Sequence, residues 1–228
     1  MKVILFGATG MVGQGVLREC LLDPDVTGVL SVARNTTGQK HDKLRELLHQ
    51  DFSDFSSLER ELTGYDACFF CLGVSSAGMS ESDYARVTYG FTLAAATVLV
   101  RVNPQMTFVY VSGAGTDSSE KGRAMWARVK GRTENALLAL PFKAAFMFRP
   151  GFIQPMHGIV SKTKLYRALY VVAAPLLPSI KALFPAAVTT TERVGRAMLA
   201  VARRGSQKTL LGNADINELA ASQRAPSA

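Results

Sequence analysis

The chain holds 228 residues, 48% of them hydrophobic and 19% charged, which excludes a disordered chain and supplies enough apolar side chain for one substantial core. The formal charge of +8 suits anionic ligands such as a phosphorylated cofactor, yet the lysines and arginines are scattered, so no nucleic-acid partner is expected. Three cysteines are too few for a disulfide framework, and the three histidines stand apart from Cys, Asp or Glu at metal-ligand spacing, so no metal site is expected.

The opening residues MKVILFGATGMVG carry a strand, Lys2–Phe6, straight into Gly7, Gly10 and Gly13, and an apolar-periodic helix over Met11–Leu22 follows. This is the layout of a dinucleotide pocket. Gly7 turns the chain off the strand, Gly10 lets the backbone approach a pyrophosphate, and Gly13 lets the helix pack on the sheet. The loop Gly7, Thr9, Gly10, Met11, Val12 and Gly13 is thus the predicted cofactor cradle, with the amides of Gly10, Met11 and Val12 facing the anion. A strand that begins at Lys2 leaves no room for a secretory signal, and a cytoplasmic location is expected.

Further strands are predicted at Gly28–Ala33, Glu46–Asp51, Asp66–Leu72, Met106–Ser112, Ala144–Phe148 and Lys208–Leu211. Helices are predicted at Leu58–Leu62, Glu81–Val102, Lys121–Ala139 and Thr191–Arg203, the last with a capping box from Thr189 to Glu192 and closed by Gly205. Cys68 and Cys71, in the strand-like run DACFFCLG, point to opposite faces and read as core thiols. Several strands are continuous apolar runs, as in a parallel sheet covered on both sides. The expected class is α/β: a Rossmann-type, doubly wound parallel sheet with helices on both faces and a small C-terminal cap. Residues 1–155 form the nucleotide-binding core, and 156–228 are a cap segment that completes the same single domain.

Ligands of such sheets collect at the carboxyl ends of the strands, where Gly7, Arg34, Asp51, Gly73, Ser112 and Arg149 fall. An NAD site would place an acidic residue after the second strand. This chain has Arg34, with Thr36, Thr37 and Lys40 behind it. A guanidinium there can bind a 2′-phosphate in bidentate fashion, which favours NADP over NAD. Asp51 and Phe52 would sit beside the adenine, and Leu72 and Gly73 would pass under the adenosine ribose.

GATGMVG, the DF pair, CLG, VYVSGAG, Lys130 in WARVKGRTEN and FRPGFI together resemble the short-chain dehydrogenase/reductase superfamily. The branch most similar is the atypical NAD-dependent epimerase/dehydratase-like one, which includes Tat-interacting oxidoreductase-like proteins. The resemblance spans roughly residues 1 to 155, with TTTERVGRAML fitting the family's late helix. It implies a catalytic tyrosine and lysine four residues apart on one helix, the lysine lowering the phenol's pKa and holding the nicotinamide ribose. Lys130 is in place, but Trp126 stands where the tyrosine should be, and an indole N–H is a donor only. The assisting serine is displaced too: Ala114 takes the usual place, with Ser112 and Thr116 as stand-ins. Tyr84 and Tyr89, in or near the preceding helix, are phenols that could approach the pocket from another side, although tyrosines on such helices more often pack their rings and hydrogen-bond at the rim. Arg149, Pro150 and Gly151 would wrap the nicotinamide side, with Pro150 a cofactor contact, and aim Phe152 and Ile153 across the pocket.

The segment Gly158–Ala187 reads as a buried cap helix pair over the substrate pocket or as a partner surface, with peripheral contact to an anionic membrane as an alternative. Its uncharged run from Ala168 to Ile180 is too short for a span. The tail AASQRAPSA reads as disordered. The resemblance also allows a homodimer through the helices at 81–102 and 121–139. Two functions stay open. One is an NADP-dependent oxidoreductase, or an epimerase-like enzyme, acting on a small carbonyl or hydroxyl compound; the other is a non-catalytic NADPH sensor or regulatory partner protein.

Overall fold

A computed structural model describes residues 1–159 and 187–223. The cap predicted over Gly158–Ala187 lies, but for its ends, outside the described residues, and so does the tail beyond Gln223. Seven parallel strands form the central sheet: β1 (Lys2–Phe6), β2 (Gly28–Ala33), β3 (Leu44–Leu48), β4 (Ala67–Phe70), β5 (Thr107–Val111), β6 (Ala144–Arg149) and β9 (Leu210–Gly212). Their order is β3-β2-β1-β4-β5-β6-β9, the doubly wound arrangement in which the strand sequence reverses beside β1. β4 is apolar throughout, as are β1 after Lys2 and β5 after Thr107, because helices cover both faces.

One face packs Val3, Leu5 and Phe69 against α1 (Met11–Leu22), α6 (Thr191–Arg204) and α7 (Asn213–Ala221). The other packs Ile4, Phe6 and Phe70 against α2 (Glu59–Leu62), α4 (Phe91–Val102) and α5 (Met125–Ala139). Cys68 belongs to the second core and Cys71 borders the first, so the two thiols do face opposite ways. Of β7 (Phe152–Gln154) and β8 (Val188–Thr190), which pair in parallel as a separate small sheet, the sequence showed no sign.

Several boundaries move, each for a local reason. The third strand runs Leu44–Leu48 instead of Glu46–Asp51, because its pairing to β2 ends at Ala33↔Leu48. Beyond it the Asp51 carboxylate accepts the Ser53 amide at 2.9 Å and turns the chain. The helix expected over Glu81–Val102 is broken into α3 (Glu81–Ala85), a π turn at Arg86–Gly90, and α4. The Phe91 amide reaches back to Arg86 O, and Thr92 Oγ1 donates to Thr88 O at 2.6 Å. Although this stretch is long and apolar enough to cross a membrane by composition, Ala95, Ala96, Val98 and Leu99 are core residues.

α5 starts at Met125 and not Lys121, since residues 117–122 wind around one side chain. Asp117 accepts from Ser119 N at 3.0 Å, Ser119 Oγ at 2.6 Å and Gly122 N at 2.6 Å, and Glu120 sits at φ 61°, which no helix interior tolerates. The last long helix is capped by Thr190, whose Oγ1 accepts the Arg193 amide at 3.0 Å; Thr189, the expected cap, lies fully buried in β8. Gly205 does close that helix, at φ 71°. The tail is ordered further than expected, with Ala220 and Ala221 inside α7.

α6 crosses α1 at backbone contact. A Cβ on Gly15 would lie 2.5 Å from Thr191 Cβ and 2.7 Å from its carbonyl oxygen, and Arg196 and Arg203 of α6 pair with Glu19 of α1 and with Asp23, the residue that follows that helix. Replacing Gly15 by Val forces the helices apart, and overpacking of this kind costs about 1–3 kcal/mol. A lowered thermal midpoint by calorimetry is the expected outcome.

Candidate functional site

The carboxyl end of β1 is where three elements meet most closely. Gly7 has φ +80°, and a Cβ there would lie 2.6 Å from Leu72 N and 2.7 Å from Cys71 C, in the chain leaving β4. A Cβ on Gly13 would lie 2.0 Å from Gly7 O. Two bare positions therefore allow the first turn of α1 to rest on the end of its own strand. Gly10 is not a free donor, contrary to expectation: its amide closes the turn onto Gly7 O at 2.9 Å. The first helical bond runs from Gln14 N to Gly10 O at 2.8 Å, which leaves the Met11, Val12 and Gly13 amides ahead of the ladder. No side chain caps this end and no acidic residue stands in its first turn. The Gln14 amide nitrogen Nε2 donates to Thr9 O at 3.2 Å and steadies the loop. Such an end attracts an external anion through its amides and its dipole together.

Away from that loop, Arg34 follows β2, exposed, with Gln50 Nε2 donating to its carbonyl at 2.9 Å. Among the described residues no carboxylate pairs with its guanidinium. The nearest acid along β3, Glu46, accepts the Thr37 amide at 2.6 Å instead. Asp51 is exposed, and its hydrogen bonds from Ser53 hold its carboxyl below the usual range. The Phe52 ring is core: it meets Phe6 edge-on at 6.3 Å and Phe55 at 5.5 Å, so only its backbone is available to a base. A Cβ on Gly73 would meet open space.

The nicotinamide end is built on α5. Trp126, Lys130 and Glu134 recur one turn apart and share a face. That face is pressed on the loop after β5, since a Cβ on Gly131 would lie 1.8 Å from Asp117 O. The Trp126 indole lies over Gly115, where a Cβ would come within 3.3 Å of its Cη2. Lys130 Nζ donates to Ser112 O at 2.7 Å and stands 5.8 Å from the centroid of the Tyr110 ring. Burial lowers its pKa to about 8, against the opposing pull of the Glu134 charge.

Ser112 is beside Lys130, but its hydroxyl donates to Glu134 Oε1 at 2.5 Å and lies 3.1 Å from Phe148 O. Glu134 is fully buried and also takes Arg149 Nε at 3.1 Å on each oxygen, with a further contact to Nη2. Arg149 Nη2 reaches Ser118 Oγ at 2.5 Å. The serine expected at the reaction centre is thus the hydroxyl of a brace between β5, α5 and β6. Thr116 Oγ1 donates to Gly113 O at 2.7 Å, exposed Ala114 gives its amide to Pro150 O at 2.9 Å, Tyr84 is buried, and the Arg132 guanidinium lies 4.3 Å from the Tyr89 ring centroid. The structure therefore gathers Lys130, Ser112 and Pro150, and separately Gly7 to Gly13 with Leu72. Sequence reasoning missed Glu134; its signal was an acid one turn beyond the lysine, on the face turned to the core. Removing that carboxylate strands Arg149 and Ser112. Glu134→Ala is expected to cost about 3 kcal/mol in urea unfolding, as for other broken buried pairs.

With this geometry in view, the model of the NAD dependent epimerase/dehydratase family matches residues 3–122. The mitochondrial protein FMP52-2 of Scheffersomyces stipitis is similar at 28% identity over 152 residues, 65% of each chain. The chain therefore spans about two thirds of that relative's length. The mitochondrial protein fmp52 of Emericella nidulans is 30% identical over 159 residues, 67% of this chain and 66% of its own. Among solved structures, the Bordetella bronchiseptica enzyme WbmF in complex with NAD+ aligns over 96% of this chain and 76% of its own, at TM-score 0.68 and 16% identity. A Burkholderia thailandensis oxidoreductase of the short-chain dehydrogenase/reductase family aligns over 95% and 92%, at TM-score 0.66 and 15% identity. These two share the fold. The fungal names correct the cytoplasmic expectation, which rested on a start too short for a secretory signal: such a start says nothing about other compartments, and these relatives are named mitochondrial.

Proposed function

The chain belongs to the NAD dependent epimerase/dehydratase family, and on that premise we propose that it is a nicotinamide-dependent oxidoreductase, or an epimerase-like enzyme, acting on a small carbonyl or hydroxyl compound. The observation that carries this reading is the uncapped first turn of α1, whose Met11, Val12 and Gly13 amides suit a diphosphate. Arg34 would take a 2′-phosphate, so NADP is preferred to NAD. Asp51 and the Phe52 backbone would border the adenine, Leu72 and Gly73 the adenosine ribose, and Lys130 and Pro150 the nicotinamide side. When bound, the nicotinamide supplies or accepts a hydride. The chain's own part is to orient it through Lys130 and to shape the pocket with Trp126. The fungal relatives also support a mitochondrial location for this chain.

Titration calorimetry tests the binding site. The native chain is expected to bind NADPH, and Gly13→Ala to abolish the binding, since its methyl group collides with Gly7 O. Arg34→Glu is expected to weaken NADPH by roughly 10-fold or more, the worth of a charge-assisted pair, and to leave NADH nearly unchanged. Equal weakening of both discards the 2′-phosphate role. Catalysis is read from NADPH consumption over a panel of small carbonyl compounds. Turnover that disappears in Lys130→Ala excludes a mere sensor, and Trp126→Tyr, which installs a phenol one turn from Lys130, is expected to raise it.

A further inference from the structure

A hydride-transfer enzyme must also move a proton to or from the substrate oxygen, and the groups around Lys130 can be taken one at a time. Trp126 does not ionise. The hydroxyl hydrogens of Ser112 and Thr116 are given to Glu134 and Gly113 O. Tyr84 and Tyr110 are buried, and burial raises the Tyr110 phenol, while Tyr89 lies beneath Arg132. The Cys71 thiol is likewise pushed far up by burial. Among the described residues, what is left is an ammonium.

We propose that Lys130 is itself the proton carrier of the reaction, giving its Nζ proton to a carbonyl oxygen or taking one from a secondary alcohol. The inference rests on the enzymatic reading above and names its acid and base. One of the three Nζ hydrogens goes to Ser112 O, so two are left for a ribose hydroxyl and a substrate oxygen. The carboxylate that would hold the amine charged, Glu134 one turn on, is engaged by Arg149 and Ser112 instead. Among the described residues the charged and titratable groups around Nζ are Glu134 on α5, Tyr110 on β5, Arg149 on β6 acting through Glu134, and Tyr84 on α3 behind Tyr110. Burial, opposed by the Glu134 charge, lowers the Lys130 pKa to about 8, in the range where a general acid and base work best. In the reducing direction a bound reduced nicotinamide would supply the hydride for the carbonyl carbon. As the C=O π bond opens, its electron pair forms the O–H bond with the Nζ proton. Lys130 is left as a neutral amine and is reprotonated from water.

Two measurements test this. Competitive acetylation of the native chain across pH, read by mass spectrometry, is expected to give Lys130 a midpoint near pH 8, against about 10.4 for a free lysine side chain. A Lys130 midpoint of 10 or more overturns the proposal. Lys130→Arg keeps a cation that cannot be deprotonated. It is expected to retain NADPH affinity within about 3-fold by calorimetry and to lose turnover on the carbonyl panel by at least about 100-fold. An arginine variant that binds and turns over like the native chain defeats this assignment alone. A native chain that binds NADPH but never turns over defeats the enzymatic reading and this inference with it, and one that binds no nicotinamide nucleotide defeats the binding proposal first.

Discussion

The contact between Gly13 and the carbonyl of Gly7 is the constraint on which the rest of the site depends. A helix can start against the end of a strand only if neither backbone carries a side chain at the crossing, and here a methyl group on Gly13 would sit 2.0 Å from an oxygen. Because the approach is this close, Gly10 closes the turn and the next three amides precede the helical ladder. Because the turn holds no acidic residue, those amides and the dipole behind them are left for an external anion. The same crossing draws in the chain after β4, through Leu72 and Cys71, and so sets where the pocket floor passes.

A second close approach governs the reactive end. Gly131 lets α5 lie on Asp117 O, which brings Lys130 to the carbonyl of Ser112 and Glu134 to its hydroxyl. One serine is thereby gripped from both sides by one helix. Arg149 ties the same carboxylate to β6 and to Ser118, so two strand ends, one helix and the loop over them are held as a unit. The brace explains why a buried ion pair stands beside a buried lysine without neutralising it. Glu134 is coordinated by a guanidinium that keeps its charge, and Lys130 is left with a neutral acceptor and a desolvated environment.

Membership of a family that uses nicotinamide cofactors does not by itself supply a reaction. Trp126 removes the group its relatives' resemblance would assign to proton transfer, and the serine at the strand end has another task. The indole keeps the shape of an aromatic side chain over Gly115 while giving up the acidity. A lysine whose carboxylate neighbour is diverted is the chemical complement of that loss.

The parallel sheet, its continuous apolar strands and the glycine loop were legible in residue order, since they depend on period, on local backbone freedom and on short spacing. So were the two faces of Cys68 and Cys71. The π turn at Arg86–Gly90, the late start of α5 and the Thr190 cap were not, because each is decided by side-chain hydrogen bonds that compete with a regular ladder. Nor were β7 and β8, whose pairing joins residues more than thirty positions apart. The sequence by itself determined that a strand, a bare turn and a helix would make an anion cradle, because that takes only neighbouring residues. Only the tertiary structure decided that Ser112 would face Glu134, that Gly10 would bond inward and that Lys130 would lose its carboxylate to Arg149, because those outcomes depend on which distant chains compete for the same atom.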